Sequence, residues 1–207
     1  GQGHHATYRD ALGQIARRRL DLETGLREAL ERGDLVLHHQ PIVNLADCAS
    51  VGGIEALLRW NDPQGAPAPV GELIAIAEET GLIVPLGRWV LEHACAAHKT
   101  LSDVLGRPAP RMHVNVSAHQ LRDRSFAVIV ANTLRSYRME PASLVIELTE
   151  NSLVGRATDD HAVLAELRAL GVAIAIDDFG QGYSSLGYLT QIDAQILKLD
   201  LSLIAQL

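Results

Sequence analysis

Val172-Ala173-Ile174-Ala175-Ile176-Asp177-Asp178 is a short apolar run, rich in β-branched residues, that stops on two adjacent acids. A run of this length without polar alternation reads as a strand buried on both faces. Residues 112–116, 144–148 and 196–199 have the same form, and helical stretches at 121–137 and 159–170 fall among them. Upstream, Leu35-Val36-Leu37-His38-His39 reads as a strand stopped by Pro41, and residues 51–58 as a second. The turn-rich Asn61-Asp62-Pro63-Gln64-Gly65 follows, then helical stretches over about 71–80 and 86–101. A charged helix over about 8–31 carries Leu20, Leu22, Leu26 and Leu30 on one stripe and ends at Gly33-Asp34. Six strands alternating with helices predict a parallel sheet covered by helices in a single domain. Residues 1–7 are set aside as a disordered tail or cloning scar, and the domain is taken as 8–207.

Bulk properties narrow the function. At 207 residues the chain is long enough for a real core, although a complete eight-stranded α/β barrel usually takes about 250 residues. A formal net charge of -7 argues against a protein that wraps nucleic-acid phosphates by charge alone. An acidic protein can still bind a phosphorylated ligand where metal ions intervene. Cys48 and Cys95 offer no disulfide framework and fit a reducing cytoplasm. No apolar run approaches the roughly 18 residues needed to span a bilayer, so no membrane contact is expected of this segment, whatever anchor a longer parent carries.

The informative pattern is where acids and amides interrupt the apolar strands. Glu55 sits in the second strand, Asn115 in the third and Glu147 in the fourth; Asp177 and Asp178 end the fifth, and Lys198 lies in the sixth. Each is near the C-terminal end of its strand, the catalytic face of an α/β barrel. One acid at a strand end is ordinarily a helix cap or a surface group. Six polar groups at equivalent ends of five consecutive strands are hard to explain that way. A carboxylate in a buried strand is costly unless paired or bound to metal, and converging carboxylates repel unless divalent cations compensate. All-oxygen ligation suits Mg²⁺ or Mn²⁺. The adjacent Asp177 and Asp178 suit a bridge between two ions, the arrangement that stabilises the attacking and leaving oxygens at phosphorus. The residues alone therefore point to metal-dependent phosphoester chemistry.

Glu55-Ala56-Leu57-Leu58-Arg59-Trp60 resembles the signature of the EAL-domain cyclic di-GMP phosphodiesterases. The rest follows in order: Gln40-Pro41-Ile42-Val43, Asn115-Val116-Ser117, Glu147-Leu148-Thr149-Glu150, Asp177-Asp178-Phe179-Gly180, Gly182-Tyr183-Ser184-Ser185-Leu186 and Lys198-Leu199-Asp200. The resemblance implies a TIM-like (β/α) barrel and hydrolysis of cyclic di-GMP to linear 5′-pGpG. It implies Glu55, Asn115, Glu147 and Asp177 as ligands of one Mg²⁺ or Mn²⁺, and Asp177 with Asp178 as ligands of a second. Glu55, Asp177 and Lys198 become the catalytic set, with Lys198 orienting or activating the attacking water. Gln40, Leu57, Arg59 and Asp178 fall to the substrate, Arg59 at phosphate, and Glu150 steadies the loop after the fifth strand. That loop, with Gln181 where the family usually has Thr, implies a homodimer, and the family's habit implies fusion to sensor or cyclase modules. The family barrel continues through two more strands, one of which supplies a further glutamate to the second metal. Nothing like either follows Asp200, so the domain is expected to be C-terminally incomplete as it stands: the recorded chain stops short, the domain is cut short, or a partner supplies the strands by swapping. The alternative to an active enzyme is a non-catalytic cyclic di-GMP receptor, although such domains typically lose the signature Glu, the Asn or a paired Asp.

Other constellations carry less. His93 and His98 diverge around a helix, so with Cys95 they make no metal site. His38-His39 reads as strand packing, and Arg17-Arg18-Arg19 as a solvated helix face. The loop from Asp178 to Ser185 lacks the spacing and lysine of a nucleotide phosphate loop.

Overall fold

The computed structural model describes residues 3–62, 64–150, 158–180 and 193–205. The chain forms two compact units, one of Gly1–Val36 with Leu58–Leu86 and one of Leu37–Leu57 with Gly87–Leu207.

In the first unit, helix α1 (Gly3–Arg32) packs on helix α2 (Val70–Thr80). α1 buries Leu22, Leu26 and Ala29, and α2 buries Leu73, Ile76 and Ala77, both at helical spacing. Leu20, on the expected apolar stripe, is instead 62% exposed. Arg17, Arg18 and Arg19 lie on the solvated face, where Arg18 pairs with Glu72 at 3.1 Å and Arg19 with Glu79. Such exposed pairs contribute little. α1 begins at Gly3, so most of the residues read as a tail belong to it; no proline or glycine interrupts residues 4–12.

The sheet runs in chain order through β1 (Val36–Val43), β2 (Val51–Arg59), β3 (Arg111–Asn115), β4 (Leu144–Thr149), β5 (Ala173–Phe179) and β6 (Ile196–Leu199). From β2 to β6 each strand pairs in parallel with the next, the order an α/β barrel requires. As in the sequence reading, no helix separates the first two strands. Only residues 44–50 join β1 to β2, closed by the Asn44 amide donating to the Ser50 carbonyl at 2.9 Å. So short a link cannot make a crossover, and β1 is an antiparallel edge. β1 also runs through Pro41 rather than stopping there, which an edge strand tolerates. His38 and His39 are exposed on it, not packed.

β4 is buried from Leu144 to Leu148. Leu144, Ile146 and Leu148 are fully enclosed, as are Ile174 and Ile176 of β5. Each such side chain stabilises the fold by about 1.5–3 kcal/mol. Helix α3 (Ile83–Leu105) adds Val90, Leu91, Ala94 and Cys95 to the core. The single helix expected over 121–137 is two, α4 (Ala118–Leu121) and α5 (Phe126–Tyr137). Between them Asp123 accepts from the Ser125 amide at 2.8 Å, a local bond that competes with helix continuation. α6 (Thr158–Ala169) packs on α4, α5 and β5, and α7 (Leu201–Ile204) follows β6. No helix among the described residues is long and apolar enough to cross a membrane.

On α3, His93 is exposed, bonded through Nδ1 to the Trp89 carbonyl at 2.8 Å, while Cys95 and His98 are buried. Burial, with Glu92 adding to it, pushes the Cys95 thiol up to about 12, whereas Cys48 is exposed. A chromogenic disulfide reagent at mildly alkaline pH is therefore expected to label Cys48 quickly in native buffer and both thiols in denaturant. Rapid labelling of both in native buffer would contradict the packing around Cys95.

Candidate metal centre

Parallel register lines the polar residues up. Glu55 stands opposite His113, Asn115 opposite Glu147, and Thr149 opposite Asp177. Between β5 and β6 the register shifts, so that Asp177 and Asp178 both fall between Ile176 and Phe179 while Lys198 alone falls between Leu197 and Leu199. Asp178 takes a left-handed φ of 55° there. A bulge re-aims consecutive side chains that a regular strand would send to opposite faces. Two adjacent acids can thus serve one site.

Lys198 Nζ donates to Glu147 Oε2 at 2.7 Å, Asp177 Oδ2 at 2.8 Å and Glu55 Oε2 at 3.2 Å. Those three carboxylates bring ligand atoms within 4.8 Å of one another. Asn115 Nδ2 donates to Glu55 Oε1 at 2.9 Å, which leaves its amide oxygen for another partner. Directly after Asn115 the chain enters α4 through a capping box. Ser117 Oγ accepts from the His119 amide at 3.1 Å, and Gln120 Oε1 from the Ser117 amide at 3.0 Å. Asp177 Oδ1 accepts from the Asp178 amide at 2.9 Å.

Glu147 is wholly buried. Burial pushes its pKa up, but hydrogen bonds from His113 and Lys198 outweigh that and hold it below the ordinary value. Burial likewise opposes the charge on Lys198, yet its bonds to Asp177 and Glu147 move its pKa upward. Asp178 is moved up, first by burial and then by the nearby charges of Asp177 and Asp200. Three carboxylates thus share one ammonium, with a fourth acid held close enough to feel them. An acidic, all-oxygen donor set of this kind fits a hard divalent cation.

The remaining expected site residues lie outside this hydrogen-bonded cluster. Gln40 is exposed on β1, and Leu57 is half-buried on β2. The Arg59 guanidinium, on the last residue of β2, donates to the Leu58 carbonyl at 2.7 Å. Glu150 is buried, and its Oε2 accepts from the Gly180 amide at 2.9 Å, where the chain leaves β5. At Gly180 the φ of 105° strains any other residue, and an added Cβ would press on the Leu203 side chain of α7. Gln181, Gly182 and the loop on to residue 192, to which the dimer contact was assigned, lie outside the described residues.

Sequence reasoning missed His113. Its Nδ1 lies 2.7 Å from Glu147 Oε1. The signal was available as a polar residue in a buried strand, two positions before Asn115 and so on the same face.

An EAL-domain family model matches residues 23–207, and the chain belongs to that family. It is 40% identical over its whole length to the bifunctional diguanylate cyclase/cyclic di-GMP phosphodiesterase MucR of Pseudomonas aeruginosa. Over 97% of its length it is 35% identical to the cyclic di-GMP phosphodiesterase PdeR of Escherichia coli. The chain spans 30% of each of these relatives. A solved MucR phosphodiesterase in complex with cyclic di-GMP superposes with a TM-score of 0.81 at 42% identity, over 89% of this chain and 74% of that one.

The charge balance makes a direct prediction. Lys198→Met leaves Glu55, Glu147 and Asp177 facing one another without their cation. Stability in chelator is expected to fall by about 3 kcal/mol, the low end for breaking a buried pair, since Lys198 keeps some solvent contact. Added Mn²⁺ is expected to recover most of the loss. Denaturant titrations with and without Mn²⁺ measure both effects, and unchanged stability in chelator would refute the role given to Lys198.

Proposed function

We propose that this chain is a metal-dependent phosphodiesterase that cuts one phosphodiester of cyclic di-GMP to give linear 5′-pGpG, lowering a bacterial second messenger. The observation that carries the reading is the convergence of Glu55, Glu147, Asp177 and Lys198, with Asn115 tied to Glu55, from five consecutive strands. Family membership and the cyclic di-GMP activities named for MucR and PdeR support it.

In this reading Glu55, Asn115, Glu147 and Asp177 would hold one Mg²⁺ or Mn²⁺, and Asp177 with Asp178 would hold a second. Held there, such ions would supply a lowered pKa for the attacking water and positive charge for the phosphate. Lys198 has three N–H donors fixed on three carboxylates. An ammonium so held keeps the acids from splaying apart, and releasing one of those bonds would free an N–H to orient the water. Arg59 presents a planar fork suited to a phosphate, while Gln40, Leu57 and Asp178 face the nucleotide. Glu150 anchors the start of the loop after β5, and with it the contact through which two copies would pair. The share of the relatives that this chain covers fits a module working beside sensor or cyclase domains.

The test is to incubate the protein with cyclic di-GMP and Mg²⁺ or Mn²⁺ and follow pGpG. Product is expected, lost on chelation and reduced at least about 10²-fold in Glu55→Ala and Asp177→Asn, as when one electrostatic contributor to catalysis is removed. Cyclic di-GMP binding without product would overturn the enzyme reading and leave a receptor.

A further inference from the structure

His113 has no part in the chemistry assigned above, yet it is buried against a carboxylate that has no exposure at all. Its Nδ1 holds Glu147 Oε1 at 2.7 Å, while Glu147 Oε2 faces Lys198 and the centre shared with Glu55 and Asp177. The terminal torsion of a glutamate is soft. Tying one oxygen therefore decides which oxygen, and in what orientation, meets the shared centre. An ionised carboxylate only accepts, so the hydrogen in this contact sits on Nδ1.

The ring is itself held in place from β2. A Cβ at Gly53 would lie 2.7 Å from His113 Nε2 and 3.0 Å from its Cδ2. The imidazole thus fills the space that any side chain at residue 53 would take. Gly53 pairs with Arg111, and Glu55 with His113. Glycine and histidine therefore lie on the same faces as the ligands Glu55 and Asn115, nearer the start of the strands.

We propose that His113, seated over Gly53, is a positioning residue that presents Glu147 to the divalent metal; this rests on the metal-dependent reading above. Partners that orient a ligating carboxylate typically change metal affinity by about 10–100-fold when removed.

Mn²⁺ binding to the whole chain, stripped with chelator and followed by the paramagnetic resonance of free Mn²⁺, tests this without substrate. His113→Ala is expected to weaken binding by about 10–100-fold. His113→Asn is expected to stay within a few-fold of wild type, because Asn Nδ2 is as many bonds from Cα as His Nδ1 and donates in its place. Gly53→Ala is expected to weaken binding by displacing the ring, and to cost clearly less in the His113→Asn background, where Nε2, the atom nearest the added Cβ, is gone and only Asn Oδ1 stands near the former Cδ2. Melting curves in chelator show that each variant is folded. Should His113→Ala not fold, Gly53→Ala alone and combined with His113→Asn decide the matter. Wild-type affinity in a folded His113→Ala overturns the proposal and leaves the phosphodiesterase reading standing. So does a Gly53→Ala loss as large in the double variant as on its own. A wild-type chain that takes up no Mn²⁺ overturns the metal-dependent reading and this inference together.

Discussion

Like charge held at short range is the constraint on which the rest of this structure depends. Glu55, Glu147 and Asp177 bring carboxylate oxygens within 4.8 Å of one another, a spacing that is unfavourable unless positive charge sits among them. Lys198 supplies that charge from the neighbouring strand, with all three bonds at 3.2 Å or less. Every nearby feature serves to keep these groups together. The parallel register sets Asn115 beside Glu147, the register shift between β5 and β6 takes up Asp177 and Asp178 together opposite Lys198, and the capping box at Ser117 ends β3 directly after Asn115. The apolar faces of β4 and β5 hold the strands against their helices and give the polar ends a fixed base.

Charge balance also links fold to chemistry. A single ammonium cannot neutralise three carboxylates and the raised Asp178 beside them. The same arrangement that makes the centre electrostatically demanding suits it to a divalent cation. Under the proposed function, this would reconcile an acidic chain with a phosphorylated substrate.

Much of the site was legible in the sequence because acids and amides in apolar strands have few innocent explanations. Glu55, Asn115, Glu147, Asp177 and Lys198 each break a hydrophobic run, and the structure brings them into one hydrogen-bonded group. What stayed hidden depends on contacts far apart in the chain or on exceptions to local rules. His113 reads as an ordinary strand residue until its partner, 34 positions away, is seen. Gly53 reads as a weak strand former until the imidazole above it is seen. Pro41 looked like a stop because propensity does not know which strand is an edge. The break between α4 and α5 lay in one Asp123–Ser125 bond.

The most direct measurement is a crystal structure of the chain with Mn²⁺ and cyclic di-GMP, read by the anomalous signal of manganese. The account predicts a manganese peak at ordinary coordination distance, about 2.0–2.3 Å, from oxygens of Glu55, Asn115, Glu147 and Asp177, with the ligand's phosphate on the same ion. An anomalous map with no peak at these side chains, and Lys198 alone among the carboxylates with cyclic di-GMP bound elsewhere, would contradict it.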